Sequence, residues 1–472
     1  MARMSVKKGE ILELVVEKTV FGGDGLSRVD GMAVFIEGAV PGDRVRALIT
    51  RKKKDWAKAR VTELLSPSPE RVAPPCPYAG HCGGCKWQHI AYERQLHYKA
   101  EHVRESLQHI AGLTDVPVED AFASPQIFGY RNKMEFSCAD RRWLLPKDLA
   151  SQGGEGRPEG QDFACGLHVP GTFDKVLDVD ACLLQHETGN LILKFLKERM
   201  AASGLPAYGL KSHEGFWRFL MMRRSRAFGK FMVNIVTSQD RPDVLAPLAQ
   251  ELSERFPEVA SVVGNVTAKR AQISSGGKET VLYGAPALSD RLGRFSFDIS
   301  ANSFFQTNPE QAERLYDTAA EFAGLTGSER VLDLYCGTGT ISLWLAGRAR
   351  EVLGVELVTD AILDARKNAA RNGVKNCRFE AADSRDALNG IGFTPDVVVT
   401  DPPRSGMHPD AAARLCEMAP PVIVYVSCNP ATLARDLVIL SHVYRVDRVQ
   451  PIDMFPHTFH VECVARLTRK DL

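Results

Sequence analysis

In the last third of the chain, short apolar runs alternate with amphipathic stretches. Residues 331–335, 351–356, 377–382, 397–400 and 422–426 are of strand length and mostly apolar or β-branched. Between them lie stretches with helical spacing, such as 360–372, which ends at Gly373. Strand and helix in alternation predict an α/β domain with a doubly wound, Rossmann-like parallel sheet over 301–472. Asn308-Pro309-Glu310-Gln311 is a helix start, with Asn as cap, Pro at the first helical position and Gln for a capping box. Near the end, 422–426 stops at Ser427-Cys428, Asn429-Pro430 turns, and Thr432 caps or opens a helical run over 433–440.

The first 64 residues have a different rhythm. The β-rich runs 11–16, 33–36 and 44–49 are separated by Gly22-Gly23-Asp24-Gly25 and Pro41-Gly42-Asp43, which predicts a small OB-type barrel. Arg51-Lys52-Lys53-Lys54 and Lys58 give it a positive edge, either a solvated face or a groove for single-stranded RNA. Residues 65–300 form a mixed middle region with a helix over 92–113. A polar loop over 142–161 reads as an insertion. Phe216, Trp217, Arg218, Phe219, Met221, Arg223, Arg224, Arg226 and Phe228 interleave aromatics with base. That composition suits either an RNA-contacting surface or an exposed sheet edge.

Composition narrows the setting. The 472 residues carry a formal net charge of +1, so a nucleic-acid partner must be met by local patches. Residues 1–9 are polar, without a signal-peptide core, and no stretch has the length of a membrane span. Eleven cysteines do not form an extracellular disulfide framework. A soluble, cytoplasmic, monomeric protein follows, with no membrane partner and no obligate protein partner. Three of the cysteines, Cys76, Cys82 and Cys85, are spaced C-x5-C-x2-C among Gly80, Gly83 and Gly84. A fourth thiolate from Cys138, Cys165 or Cys182 would complete tetrahedral zinc or an iron–sulfur cluster.

Five predicted strands end in an acid or a thiol at the carboxyl edge where such sheets hold ligands. Asp333-Leu334-Tyr335-Cys336-Gly337-Thr338-Gly339 lacks the third glycine of a dinucleotide loop, since Ser342 stands there. Asp333 would repel a pyrophosphate, so S-adenosylmethionine fits better. Glu356 is placed for its ribose and Asp383 for its adenine; Asp401-Pro402-Pro403-Arg404 and Cys428 end the last two strands. A thiolate is useful where the target carbon is a poor nucleophile. Addition of Cys428 to C6 of a uracil makes C5 an enolate carbon, which can take a methyl group. A base must then remove the C5 proton, and Glu462, an acid in an apolar strand, is the candidate. His457 and His460 read as part of a packed loop.

Together these motifs resemble the RNA uracil-5-methyltransferases over nearly the whole chain. The resemblance implies an N-terminal TRAM domain, a class I methyltransferase domain and a [4Fe–4S] cluster on Cys76, Cys82, Cys85 and Cys182. It implies cofactor binding by Gln306, Tyr335, Glu356 and Asp401, with Thr340 and Asp383 near further contacts, Cys428 as nucleophile and Glu462 as base. The implied substrate is RNA, with 23S ribosomal RNA expected and the T-loop of transfer RNA as the alternative.

Overall fold

The computed structural model describes residues 6–145, 163–270, 276–390 and 392–471. The first sheet has six strands, Ile11–Val15, Lys18–Thr19, Gly25–Val29, Met32–Glu37, Arg44–Lys52 and Trp56–Ser66, in the order one, five, six, four, three, two. Along Arg44–Lys52 the side chains of Val45, Ala47 and Ile49 are buried while Arg44 and Arg46 are exposed. This period of two puts one face of the strand into a core with Leu14, Val34, Ile36 and Ala59. Three of the six strands match the sequence pattern; Gly25–Val29, Lys18–Thr19 and the charged Trp56–Ser66 do not announce themselves by apolar runs.

The middle region holds an eight-stranded mixed sheet. Strand Trp217–Arg224 corrects both expectations for the aromatic–basic stretch. It lies between Lys133–Ala139 and Phe231–Thr237, buried for seven of its eight residues. Its aromatics are core, and two of its arginines, Arg218 and Arg223, point inward to backbone acceptors. Arg218 donates to the carbonyls of Thr267 and Lys269 at 2.8 and 2.7 Å, and Arg223 to that of Ser303 at 2.7 Å. Composition suggested a surface because arginine is rarely buried, but these guanidiniums are paired with carbonyls on the way in. Of the expected loop over 142–161, Arg142–Trp143 is a short strand paired with Val176–Asp178, and 146–161 lies outside the described residues.

The third sheet has seven strands. Their order is Cys377–Ala381, Glu351–Glu356, Arg330–Leu334, Val397–Thr400, Val422–Ser427, Glu462–Arg469, Tyr444–Ile452. The first five are parallel and Glu462–Arg469 runs against its neighbours. Apolar clusters cover both faces, which explains why these strands read as continuous apolar runs. Helix Tyr92–Ala111, closed by Gly112, packs Val103 and Leu107 into one apolar cluster with Leu433, Leu437 and Leu440 of helix Pro430–Leu440, which covers this sheet. Val118 and Phe122 bridge to Val449 and Ile452. Residues 92–122 thus belong by packing to the last domain, because the helix's apolar face finds its partner there.

Candidate active site

The parallel strands of the third sheet deliver their last residues to one edge, and the antiparallel Glu462–Arg469 delivers its first. Leu334 pairs with Val355 on one side and Thr400 on the other. The next residues, Tyr335, Glu356 and Asp401, therefore stand side by side. Tyr335 has φ of 63°, a strained value for a tyrosine, which turns the chain sharply out of the strand. Gly337 N–H and Val358 N–H donate to the two Glu356 carboxylate oxygens at 3.2 and 3.0 Å, fixing that acid at the loop. Gly339 has φ of 82°, and a Cβ there would come within 2.9 Å of the Phe379 ring, so the loop can turn only with glycine.

Burial leaves this edge short of positive charge. Asp333 is fully buried beneath the loop; Ser342 donates to one carboxylate oxygen, and the other has no hydrogen-bond partner. Burial pushes its pKa up to about 7, despite the Ser342 bond. Burial pushes Asp401 to about 7 as well. Asp383 differs, because hydrogen bonds from Arg385 hold it down to about 2, with both carboxylate oxygens engaged by that guanidinium. Gln306 sits where the middle and last domains meet, its carbonyl accepting from Asn132 Nδ2 at 3.0 Å. Tyr316 O–H donates to Thr340 at 3.2 Å. Asn308 caps the next helix as expected, but the Gln311 amide reaches the Phe122 and Asp453 carbonyls instead of closing a capping box.

Cys428 follows strand Val422–Ser427 and precedes Asn429, whose side chain caps helix Pro430–Leu440. Asn429, and not Thr432, is the cap; Thr432 and Asn429 both donate to the Arg404 carbonyl at 3.3 and 3.2 Å. That clamps the Pro-Pro-Arg loop beside the thiol, where the Arg404 charge favours the thiolate of Cys428. Ser427 pairs with Cys463, so the next residue outward on each strand, Cys428 and Glu462, oppose one another. Burial, then Glu462 and Asp401, push the Cys428 thiol up to about 11, against the pull of Arg404. Burial and Asp401 raise the Glu462 carboxyl well above its ordinary value, again opposed by Arg404. The sequence singled out the thiol and both acids but assigned Arg404 no part, because its proximity comes only from the Asn429–Thr432 clamp.

A model of the tRNA (uracil-5-)-methyltransferase family matches residues 285–470, and a TRAM domain model matches 5–62. An uncharacterised RNA methyltransferase of Chlorobaculum tepidum is 43% identical, with 98% of each chain covered. The chain belongs to the RNA uracil-5-methyltransferase family. It is an S-adenosylmethionine-dependent RNA methyltransferase of class I fold with an N-terminal TRAM domain. Another relative, from Porphyromonas gingivalis, is 41% identical over 98% of this chain and 99% of its own. Among solved structures, the Pyrococcus abyssi tRNA (uracil-54, C5)-methyltransferase with S-adenosyl-L-homocysteine is similar at a TM-score of 0.74. It is 31% identical and covers 97% of this chain and 99% of its own.

The structure also sorts the cysteines. Cys138 and Cys165 oppose one another across two strands of the middle sheet, deep in its core, which removes them as partners of Cys76. Cys82, Cys85 and Cys182 each feel the thiol of Cys76; burial first, then these neighbours, push Cys82 to about 11 and Cys85 to about 12. Gly84 N–H points at Cys82 Sγ, 3.3 Å away. Among the described residues, no three His, Cys, Asp or Glu side chains stand close enough to hold a metal ion. Also among the described residues, no helix is long and apolar enough to cross a membrane.

Proposed function

We propose that this protein methylates C5 of a uridine in structured RNA through a transient bond between Cys428 and C6 of the base. The opposition of Cys428 and Glu462 at the end of adjoining strands carries this reading. Cys428 attacks C6 as the thiolate, and the C5=C6 electron pair moves onto C5 and O4. S-Adenosylmethionine, when bound, supplies an electrophilic methyl group on a positively charged sulfur. After C5 has taken that methyl group, Glu462 removes the C5 proton. The C5–H pair re-forms C5=C6, the C6–S bond breaks, and its electrons return to Cys428. Arg404 lies against both groups and stabilises their ionised forms.

The residues fit that cofactor. The Asp333 oxygen without a partner, and the raised Asp401, are groups that a cationic ligand would satisfy. Gln306, Tyr335, Glu356 and Asp401 would hold it, with Asp383 at the adenine end. Cys76, Cys82, Cys85 and Cys182 would hold a [4Fe–4S] cluster, whose cubane spreads its thiolates over separate corners, further apart than ligands round one ion. There it would tie the 76–85 loop to the middle domain.

The target uridine must leave its stack or already lie outside one, since the thiol cannot reach a stacked base. Ribosomal RNA was expected from the N-terminal barrel. The likeness to a transfer RNA enzyme over 97% of this chain includes that barrel, so the barrel does not separate the two. Methyl transfer from labelled S-adenosylmethionine to 23S ribosomal RNA and to unmodified transfer RNA, with the product mapped by mass spectrometry, tests the reading. 5-Methyluridine in either RNA supports it and names the substrate; label on any other atom sinks it.

A further inference from the structure

Between Ile452 and Glu462 the chain makes a loop, and these two residues pair with each other, so both ends of the loop meet at Glu462. The loop is gripped by helix Tyr92–Ala111. Gln95, Lys99 and His102 line one stripe of that helix, at spacings of four and three, all buried. Lys99 forms a wholly buried ion pair with Asp453 and donates to the Phe455 carbonyl at 3.0 Å. Tyr92 O–H donates to the other Asp453 oxygen at 2.8 Å, and Phe455 N–H donates to the first at 3.1 Å. Gln95 holds His457 twice, its carbonyl accepting from His457 N–H at 2.9 Å and its amide meeting Nδ1 at 3.3 Å. Gln311 adds a bond to the Asp453 carbonyl at 2.9 Å, and Asn308 one to the Met454 carbonyl at 3.2 Å. On the far side, the His457 carbonyl accepts from Lys86 and Trp87 N–H at 3.1 and 2.9 Å.

A buried ion pair adds little to stability over apolar residues of the same volume, because both charges lose their water. What so many directional bonds do specify is one conformation of a loop. The first residue of the strand after that loop, Glu462, is the carboxylate that must reach a proton on C5. Cys428 is set by a different group of bonds, through Ser427, Asn429 and Arg404.

We propose that Lys99 and Asp453, with Tyr92 and Gln95, are positioning residues for Glu462, and that they serve the proton-removal half of the reaction. The inference rests on Glu462 being the base. Loosening the loop displaces the carboxylate from C5 while leaving attack by Cys428 and methyl transfer in place. The methylated, Cys428-bound RNA then accumulates.

The test uses the full-length protein, S-adenosylmethionine and an RNA substrate identified by the mapping above, made with hydrogen or deuterium at uridine C5. Asp453→Asn keeps the side-chain shape and removes the charge. It should lower kcat by about tenfold to a hundredfold, the size of effect expected from a misplaced catalytic group. KM for RNA should hold, the denaturation-resistant protein–RNA adduct should rise, and deuterium should slow the variant more than the wild type. Tyr92→Phe removes a single hydroxyl and should shift the same three readouts in the same direction, so the test survives if Asp453→Asn does not fold. A fall in kcat with no rise in adduct and no isotope effect overturns the proposal, as does unchanged kcat in both variants. Glu462→Gln in parallel separates the two levels: if it accumulates no adduct, the assignment of the base has failed, whatever Asp453 does.

Discussion

Cys428 and Glu462 oppose one another across the last register position of an antiparallel strand pair, one beyond Ser427 and Cys463. A nucleophile and a base on separate loops would depend on two independent conformations. Here the backbone ladder sets their separation, and burial, with the two acids around the thiol, sets its ionisation.

Substitution separates the two roles. Cys428→Ala should abolish both turnover and the covalent RNA adduct, whereas Glu462→Gln should form the adduct and fail to release it. Denaturing electrophoresis with labelled RNA reads both. Full activity in Cys428→Ala would exclude the thiol, and prompt release of product by Glu462→Gln would exclude the acid.

In the free protein the thiol is pushed up to about 11, chiefly by burial, so at pH 8 it is protonated. Alkylation of Cys428 by iodoacetamide, followed by peptide mass spectrometry, should therefore be slow at pH 7 and climb steadily to pH 10. Arg404 opposes the upward shift, so Arg404→Ala should move this profile to still higher pH. A profile that levels off below pH 8 would contradict the account.

Asp333 and Asp401 are both raised to about 7 in the folded chain. The folded state thus holds protons that the unfolded state gives up from about pH 4, and stability falls as pH rises through 7. Holding Asp333 ionised at pH 8 costs roughly 4 kcal/mol more in the folded chain than in the unfolded one. Asp333→Asn should therefore raise Tm at pH 8 much more than at pH 5 in calorimetric scans.

The same acids favour a cation. S-Adenosylmethionine carries a positive sulfur that S-adenosylhomocysteine lacks. Its advantage in Kd over S-adenosylhomocysteine should widen between pH 6 and pH 8 as the carboxyls ionise. Titration calorimetry at both values tests this, and a constant ratio would mean that neither acid senses the sulfur.

Protein isolated without oxygen should be brown. Cys82→Ser or Cys182→Ser should bleach it and lower its iron content. Cys138→Ser and Cys165→Ser should leave the colour, since those thiols lie in the core of the middle sheet. A colourless protein with bound zinc would favour the other metal.

Much of this molecule is written locally. Parallel strands buried on both faces must be apolar throughout, so runs such as Val397–Thr400 and Val422–Ser427 declare themselves, and the residue ending each run falls at the ligand edge. That is why Tyr335, Glu356, Asp401 and Cys428 were legible. The thiol-rich turn at 76–85 was legible too, because glycine and cysteine at that density have few other uses. Other features depended on contacts between distant segments. Strand Trp217–Arg224 carries the composition of a surface, and only its two neighbours and the carbonyls waiting for its arginines make it core. Gln95 and Lys99 break the apolar face of their helix, a visible oddity whose meaning lies some 350 residues away in Asp453 and His457. Periodicity reports which face of an element is buried. It is silent on what lies opposite, so the edge of the sheet could be read in advance, while the clamp on Arg404, the pairing of Cys138 with Cys165 in the middle sheet and the grip on the loop before Glu462 were decided by the tertiary fold.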